Sequence, residues 1–209
     1  ERLEAWRLGR TGWPLVDACM RLLHHTGWLN FRMRAMLVTT ATHTLSLPWR
    51  PVADWLSQMF VDFEPGIHYT QIQMHSSMSG SPVLRIYNPT KQAIDLDPKG
   101  DFVRRWVPEL AAVPDEWIFT PWLIPEGLRR EFGLVGEQDY PVPMVDFEQV
   151  HRSVKAEIAA LRAETNKVLA DGLKDPLTKK VHDSYMAFKA KYDRWSEISE
   201  EAYHLKVRG

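Results

Sequence analysis

The sequence predicts an all-α fold on three observations. Apolar residues recur at helical spacing in one segment after another, and those segments open and close at proline or glycine. No stretch shows the convincing period-two alternation of a half-buried strand. A length of 209 residues with 44% hydrophobic and 25% charged side chains has the composition of an ordinary soluble globular chain. At about 150 residues per domain that is one principal domain, and disorder is not expected.

The elements follow in order. Pro14 suits the first position of a helix, and Leu15, Val16, Cys19, Leu22 and Leu23 keep one apolar face until Gly27. Residues from Phe31 to Leu45 form a second, more continuously apolar helix that stops before Pro48. Val52, Trp55, Leu56, Met59 and Phe60 make a third that ends near Pro65-Gly66, and both are expected to be largely buried. From Ser76 to Pro98 the composition shifts to Ser, Gly, Pro, Asn and Asp, predicting a long irregular stretch on the surface or lining a cleft. Asp101 to Leu110 is helical again, with Phe102, Val103, Trp106 and Val107 on one side and Arg104 and Arg105 on the other. After an aromatic and proline-rich connector from Trp117 to Pro143, a helix starting near Asp146 is expected to carry Phe147, Val150, Val154, Ile158 and Leu161 inward. Val181, Tyr185, Phe188, Tyr192 and Trp195 then alternate spacings of four and three, the seam of a coiled coil or of a helix docked on its own domain, a partner or a second copy.

Charge and composition exclude several functions. Lys plus Arg number 26 against 27 Asp plus Glu, so the broad basic excess of most nucleic-acid binders is missing, although a local patch is compatible with it. One cysteine, Cys19, excludes an intramolecular disulfide framework and fits a reducing compartment, so the cytoplasm is expected; its apolar neighbours make it a small buried hydrophobe. No run of about 18 apolar residues is present, so neither a membrane span nor a signal peptide is expected. Glycine-rich phosphate loops and the HExxH, CxxC and GxSxG patterns are missing, and no metal site is expected. Nine tryptophans exceed what packing alone calls for in a chain of this size.

The segment from Glu4 to Ala18, AWRLGRTGWPLVDA after its first residue, with Met20-Arg21 and Thr26-Gly27-Trp28, resembles the FAD-binding domain of the DNA photolyase and cryptochrome family. The resemblance runs on through Arg32-Met33-Arg34, Trp49-Arg50, Asp62, Arg85-Ile86-Tyr87-Asn88-Pro89, Gln92, Asp97-Pro98 and Arg104 to Leu110, and closes with Asp139-Tyr140-Pro141 and Pro143 to Asp146. It implies the second half of a helical FAD-binding domain over residues 1–162, with a helical extension over 163–209. The family's phosphate-gripping segment lies upstream of this region. The missing initiator Met and that upstream segment lead us to expect a fragment or processed chain, with a second polypeptide completing the FAD site.

The resemblance also implies roles. Arg34 and Asp62 correspond to an ion pair beside the isoalloxazine ring, where a carboxylate keeps its charge and fixes the guanidinium fork. Asn30 and Glu64 join them as expected cofactor contacts. His68 falls where many members carry an asparagine that contacts flavin N5, and an imidazole there titrates near neutrality. The stretch from Glu64 to Tyr69 resembles an atypical branch. Trp49 matches the middle member of a tryptophan relay, and its neighbour nearest the flavin corresponds to Ile72, which cannot be oxidised. Trp28, Trp55 and Tyr69 are read as packing residues before any alternative relay, as are Trp6, Trp13 and Trp106. Phe31 and Ala35 replace an asparagine and a methionine that touch the damaged bases, and Met74 replaces a stacking tryptophan. Phe31 and Met74 are expected to offer an apolar wall to a flipped base, and Arg85 and Arg104 phosphate contacts.

The implied function is FAD binding with light-driven electron transfer for repair of pyrimidine dimers in DNA, with Trp49 and His68 as the residues of the chemistry. Two alternatives stay open: a blue-light or redox sensor without repair, and a structural remnant that does not bind FAD alone.

Overall fold

Helix boundaries follow local chemistry. Residues 1–78, 86–135, 139–184, 186–187 and 190 are described by a computed structural model. Among them every regular element is helical. The chain divides into two compact units, Glu1–Val154 and Lys155–Gly209.

The first unit opens with α1 (Arg2–Arg7), whose Trp6 is buried and donates its indole N–H to the Leu37 carbonyl at 3.2 Å. That bond meets the requirement of a buried indole. Helix α2 (Pro14–Thr26) starts on proline and ends at Gly27, in the left-handed region at φ 69°. Leu15, Val16, Cys19, Met20 and Leu23 are all fully buried along it. Each large apolar side chain so buried contributes about 1.5–3 kcal/mol, against differences of under about 1 kcal/mol in helix propensity, so packing determines this helix.

Helix α3 (Phe31–Thr39) continues into a π-helical turn at Thr40–Thr44, and α4 (Trp49–Met59) follows Pro48. The expected single helix to Leu45 is thus an α-helix with one wide turn at its end. The third expected helix stops at Met59, and Pro65 opens a separate one, α5 (Pro65–His75). Pro65 terminates nothing: it stands at the first position, where its missing N–H costs no hydrogen bond, and Glu64 caps the end by accepting from Ile67 N at 2.6 Å.

The stretch expected to be irregular contains α6 (Pro89–Leu96), capped by Asn88. Asp97 then accepts from Phe102 N and Val103 N to start α7 (Asp101–Trp106). The remainder of the expected 101–110 helix is a 3-10 turn at Pro108–Leu110, because Pro108 cannot continue the α pattern. A 3-10 turn at Pro121–Leu123 and α8 (Glu126–Arg129) lead to α9 (Phe147–Gly172). No residue of α9 is fully buried, but Phe147, Val150, Val154 and Ile158 are half-buried and Phe147 packs against the core, whereas Leu161 is exposed, contrary to the expectation that it faces inward. Val181 is exposed, and Tyr185, Phe188, Tyr192 and Trp195 lie outside the described residues.

A buried polar knot holds α2 to the far end of the unit. The Asp17 carboxylate accepts from Thr11 N at 2.8 Å, Thr11 Oγ1 at 2.6 Å, Gly12 N at 3.0 Å and the Tyr140 hydroxyl. Burial pushes the Asp17 carboxyl up, and these donors oppose that rise. Arg21 adds a two-armed bridge to Glu109 at 2.7 and 2.9 Å.

Of the tryptophans, Trp6 and Trp13 are core residues, and Trp55 and Trp106 are half-buried against the core. Trp28, expected to pack, is 51% exposed and is not among the residues packed on the core. Among the described residues no helix is long and apolar enough to cross a membrane.

Candidate functional site

Helices α3 and α5, with the end of α4 and the turn that follows it, enclose a cavity of about 190 Å³. Phe31, Arg34, Ala35 and Val38 face it at helical spacing from α3, and Ile67, His68, Gln71, Ile72 and His75 from α5. Leu56, Phe60, Asp62, Phe63 and Glu64 supply the remainder. The walls are mainly apolar, with the charged groups gathered at one end.

That end is ordered around Arg34. Its Nε donates to the Leu29 carbonyl at 2.7 Å and its Nη2 to both Asp62 oxygens at 3.0 and 2.8 Å, while the guanidinium lies 4.1 Å over the Phe60 ring. Contacts from two segments, Leu29 before α3 and the Phe60–Asp62 turn after α4, fix a side chain that otherwise has many rotamers. The hydrogen bond from Arg34 holds the Asp62 carboxyl below its usual range. Glu64, also at the cavity, spends an oxygen capping α5.

His68 lines the cavity, and its Nε2 is 2.9 Å from the Ala53 carbonyl. A carbonyl only accepts, so Nε2 carries the proton and the ring is tied to α4. Burial pushes the imidazole below its ordinary value, favouring the neutral form. His43, in the π turn, makes the same kind of bond to the His75 carbonyl at 3.0 Å and is likewise lowered by burial.

Of the expected cofactor contacts, Arg34, Asp62, Glu64 and His68 are brought together here. Asn30 is not among the lining residues: its side chain caps α3 through Met33 N at 3.0 Å. Ile72 is a wall residue at 4% exposure, whereas Trp49 stands at the start of α4 away from the lining and is covered by Arg50 at 4.9 Å. Phe31 is 62% exposed at the cavity and contacts the His75 ring. Met74 is exposed and lies outside the lining. Arg104 is committed to the Val113 carbonyl and Asp115, at 2.8 and 2.6 Å, and so performs a structural task that the expectation of a phosphate contact did not include. Arg85 lies outside the described residues.

Sequence reading missed Phe60, Phe63, Ile67 and Gln71 as site residues. The signal for the last two was present: Glu64, Ile67, His68, Gln71, Ile72 and His75 fall on one helical stripe once Pro65 is taken as a helix start. Among the described residues no group of three or more His, Cys, Asp or Glu is placed to hold a metal ion.

Residues 1–160 match the family model described as the FAD binding domain of DNA photolyase. The chain is 36% identical over 164 residues to cryptochrome-2 of Arabidopsis thaliana, covering 78% of this chain and 27% of that protein. It is similar to the crystal structure of a bacterial class III photolyase from Agrobacterium tumefaciens, with a TM-score of 0.70 and 32% identity over 78% of this chain and 34% of that one. A photolyase from Sulfolobus tokodaii, whose structure was solved with two FAD molecules, matches with a TM-score of 0.65 and 31% identity over 76% of this chain and 34% of that one. The chain thus spans about a third or less of the length of the proteins it matches.

Proposed function

Because the chain belongs to the DNA photolyase and cryptochrome family, we propose that its cavity holds the ring system of FAD in a flavoprotein that repairs pyrimidine dimers in DNA by light-driven electron transfer. The Arg34–Asp62 pair carries this reading. It sets a fixed cation and a charged carboxylate at the edge of an apolar slot, a donor set suited to a planar heteroaromatic ring with polar edges. FAD would supply the light absorption and the transferable electron.

The residues fit that group in size as well as chemistry. A cavity of about 190 Å³ is smaller than the roughly 300 Å³ from which pockets for whole ligands begin, which supports a site for the ring and not for the whole dinucleotide. Arg34 would orient one edge, Asp62 would hold Arg34, and Phe60, Phe63, Ile67 and Ile72 would exclude water. Completion of the site by further polypeptide agrees with the fraction of the related proteins that this chain covers.

A sensor without repair is the second reading, and Phe31, Ala35 and Met74 favour it, since they replace the residues that touch damaged bases in the resemblance. The two are separated by illuminating the reduced, FAD-loaded protein with an oligothymidine dimer. Loss of dimer supports repair, and its persistence under saturating light supports sensing. Binding itself is tested by titrating FAD into the chain and following flavin fluorescence. D62A is expected to weaken retention about tenfold, the loss of one charge-assisted bridge. Unchanged retention would refute the assignment of the cavity, and no binding at all would leave a structural remnant.

A further inference from the structure

Trp13 carries a polar atom that the fold leaves unspent. Its side chain is 2% exposed, and the surface it keeps faces a cleft of about 550 Å³ formed with Asn88, Thr90, Trp122 and the start of α9. Buried indoles normally place their N–H on an acceptor, as Trp6 does on the Leu37 carbonyl, but no described residue accepts from Trp13 Nε1. The cleft shares no residue with the cavity between α3 and α5. Its size falls within the roughly 300–1,000 Å³ of small-ligand sites.

The other polar groups of the cleft have a mostly fixed sense. Asn88 Oδ1 accepts from Lys91 N at 3.0 Å, which turns its NH2 toward Glu148 Oε1 at 3.5 Å. Asp146 Oδ1 accepts from Gln149 N at 2.9 Å. The second oxygen of each carboxylate is uncommitted, and neither residue has a Lys or Arg partner among the described residues. Indoles donate only and ionised carboxylates accept only, while the Thr90 hydroxyl serves either way. Trp122 and Phe147 add half-buried rings, and His151 stacks on Phe147 at 5.5 Å.

A fitting ligand brings an acceptor for the indole, donors for a carboxylate and a flat ring to lie against the aromatic walls. An ammonium or guanidinium brings donors alone and leaves Trp13 unpaired. A guanine brings all three: O6 accepts, and N1–H and the 2-amino group donate side by side to one carboxylate, the two-armed match that Arg also makes. Two carboxylates at the rim repel a phosphate, so a nucleoside is favoured over a nucleotide.

We infer that this cleft binds a guanine nucleoside, with Glu148 accepting from N1–H and the 2-amino group, Trp13 Nε1 donating to O6, and Trp122 and Phe147 stacking on the base. The site is independent of the flavin reading, since none of the expected cofactor contacts lines it.

The test titrates guanosine into the 209-residue chain by calorimetry, beside inosine, which lacks the 2-amino group, guanosine monophosphate and methylguanidinium. Guanosine is expected to saturate the chain and to bind about tenfold more tightly than inosine or the monophosphate. E148Q, a change at an exposed position, should weaken guanosine about tenfold and abolish its advantage over inosine. W13F, which keeps a ring without the N–H, should weaken both nucleosides about fivefold. Circular dichroism checks the fold, and E148Q decides alone if W13F does not fold. No saturation at millimolar guanosine, equal affinity for inosine, or unchanged binding by E148Q overturns the proposal. Methylguanidinium binding as tightly as guanosine overturns it in favour of a plain cation site. Tighter binding of the monophosphate, or of an oligothymidine carrying one central guanine, overturns it in favour of a nucleic-acid contact.

Discussion

Two histidines, His43 and His68, are buried as neutral rings and donate Nε2–H to backbone carbonyls. Their folded-state values lie below the ordinary value of 6.5, mainly through burial. The unfolded chain therefore binds protons first as pH falls, and stability contributed by the neutral rings is lost below about pH 6.5, toward the folded values. Urea denaturation at pH 7.5 and 5.5 should show a lower midpoint at 5.5. The H43N/H68N variant should lose most of this difference, and an equal difference in the variant would refute the assignment. At this scale the sequence was informative about charge and poor about commitment. Arg34, Asp62 and His68 were legible as site residues through resemblance, but the tie from His68 to Ala53 joins positions 15 apart and no local pattern encodes it.

Among the elements, the junction between the first loop and residues 142–143 is the tightest. Gly12 sits at φ +88°, and a Cβ there would stand 2.5 Å from both Pro143 N and Val142 C. Backbone cannot yield as a side-chain tip can, so G12A should cost more than the roughly 1–2 kcal/mol of left-handed strain alone. Gly133, at φ +76°, meets nothing within 4 Å, and G133A should show only that strain. Equal urea midpoints for the two variants would show that the contact with 142–143 does not constrain the fold. Helices α2 and α4 were legible because their apolar faces are regular and proline or glycine marks an end. Helix α5 was not: it carries no coherent apolar face, since its cavity side mixes His68, Gln71 and Ile72 while Ile67 is exposed. Its proline was read as a stop when it was a start. Helix α6 was hidden in the same way, behind an Asn-Pro pair that reads as a turn but acts as cap and first position.

For the whole molecule, the all-helical class was readable from periodicity and the family from ordered motifs, while the role of residues beyond the family match was not. No described residue after Val154 is buried, so little apolar area is at stake there. We propose residues 1–162 as the folding domain and expect a chain ending at residue 162 to melt within about 2 °C of the full chain, less than the shift of about 1 kcal/mol. A fall of more than about 5 °C in a circular-dichroism melt would show that the extension stabilises the domain. The π turn at Thr40–Thr44 has a consequence for the same chain seen as a mechanical object. It stores one residue of slack between the cavity face of α3 and the proline that launches α4. Because each residue of an α-helix turns the axis by about 100°, tightening that turn by deletion would swing Phe31, Arg34, Ala35 and Val38 together out of the slot. The segment thus acts as a length gauge, and the aim of the whole α3 face depends on the number of residues between the two helices as much as on which residues they are.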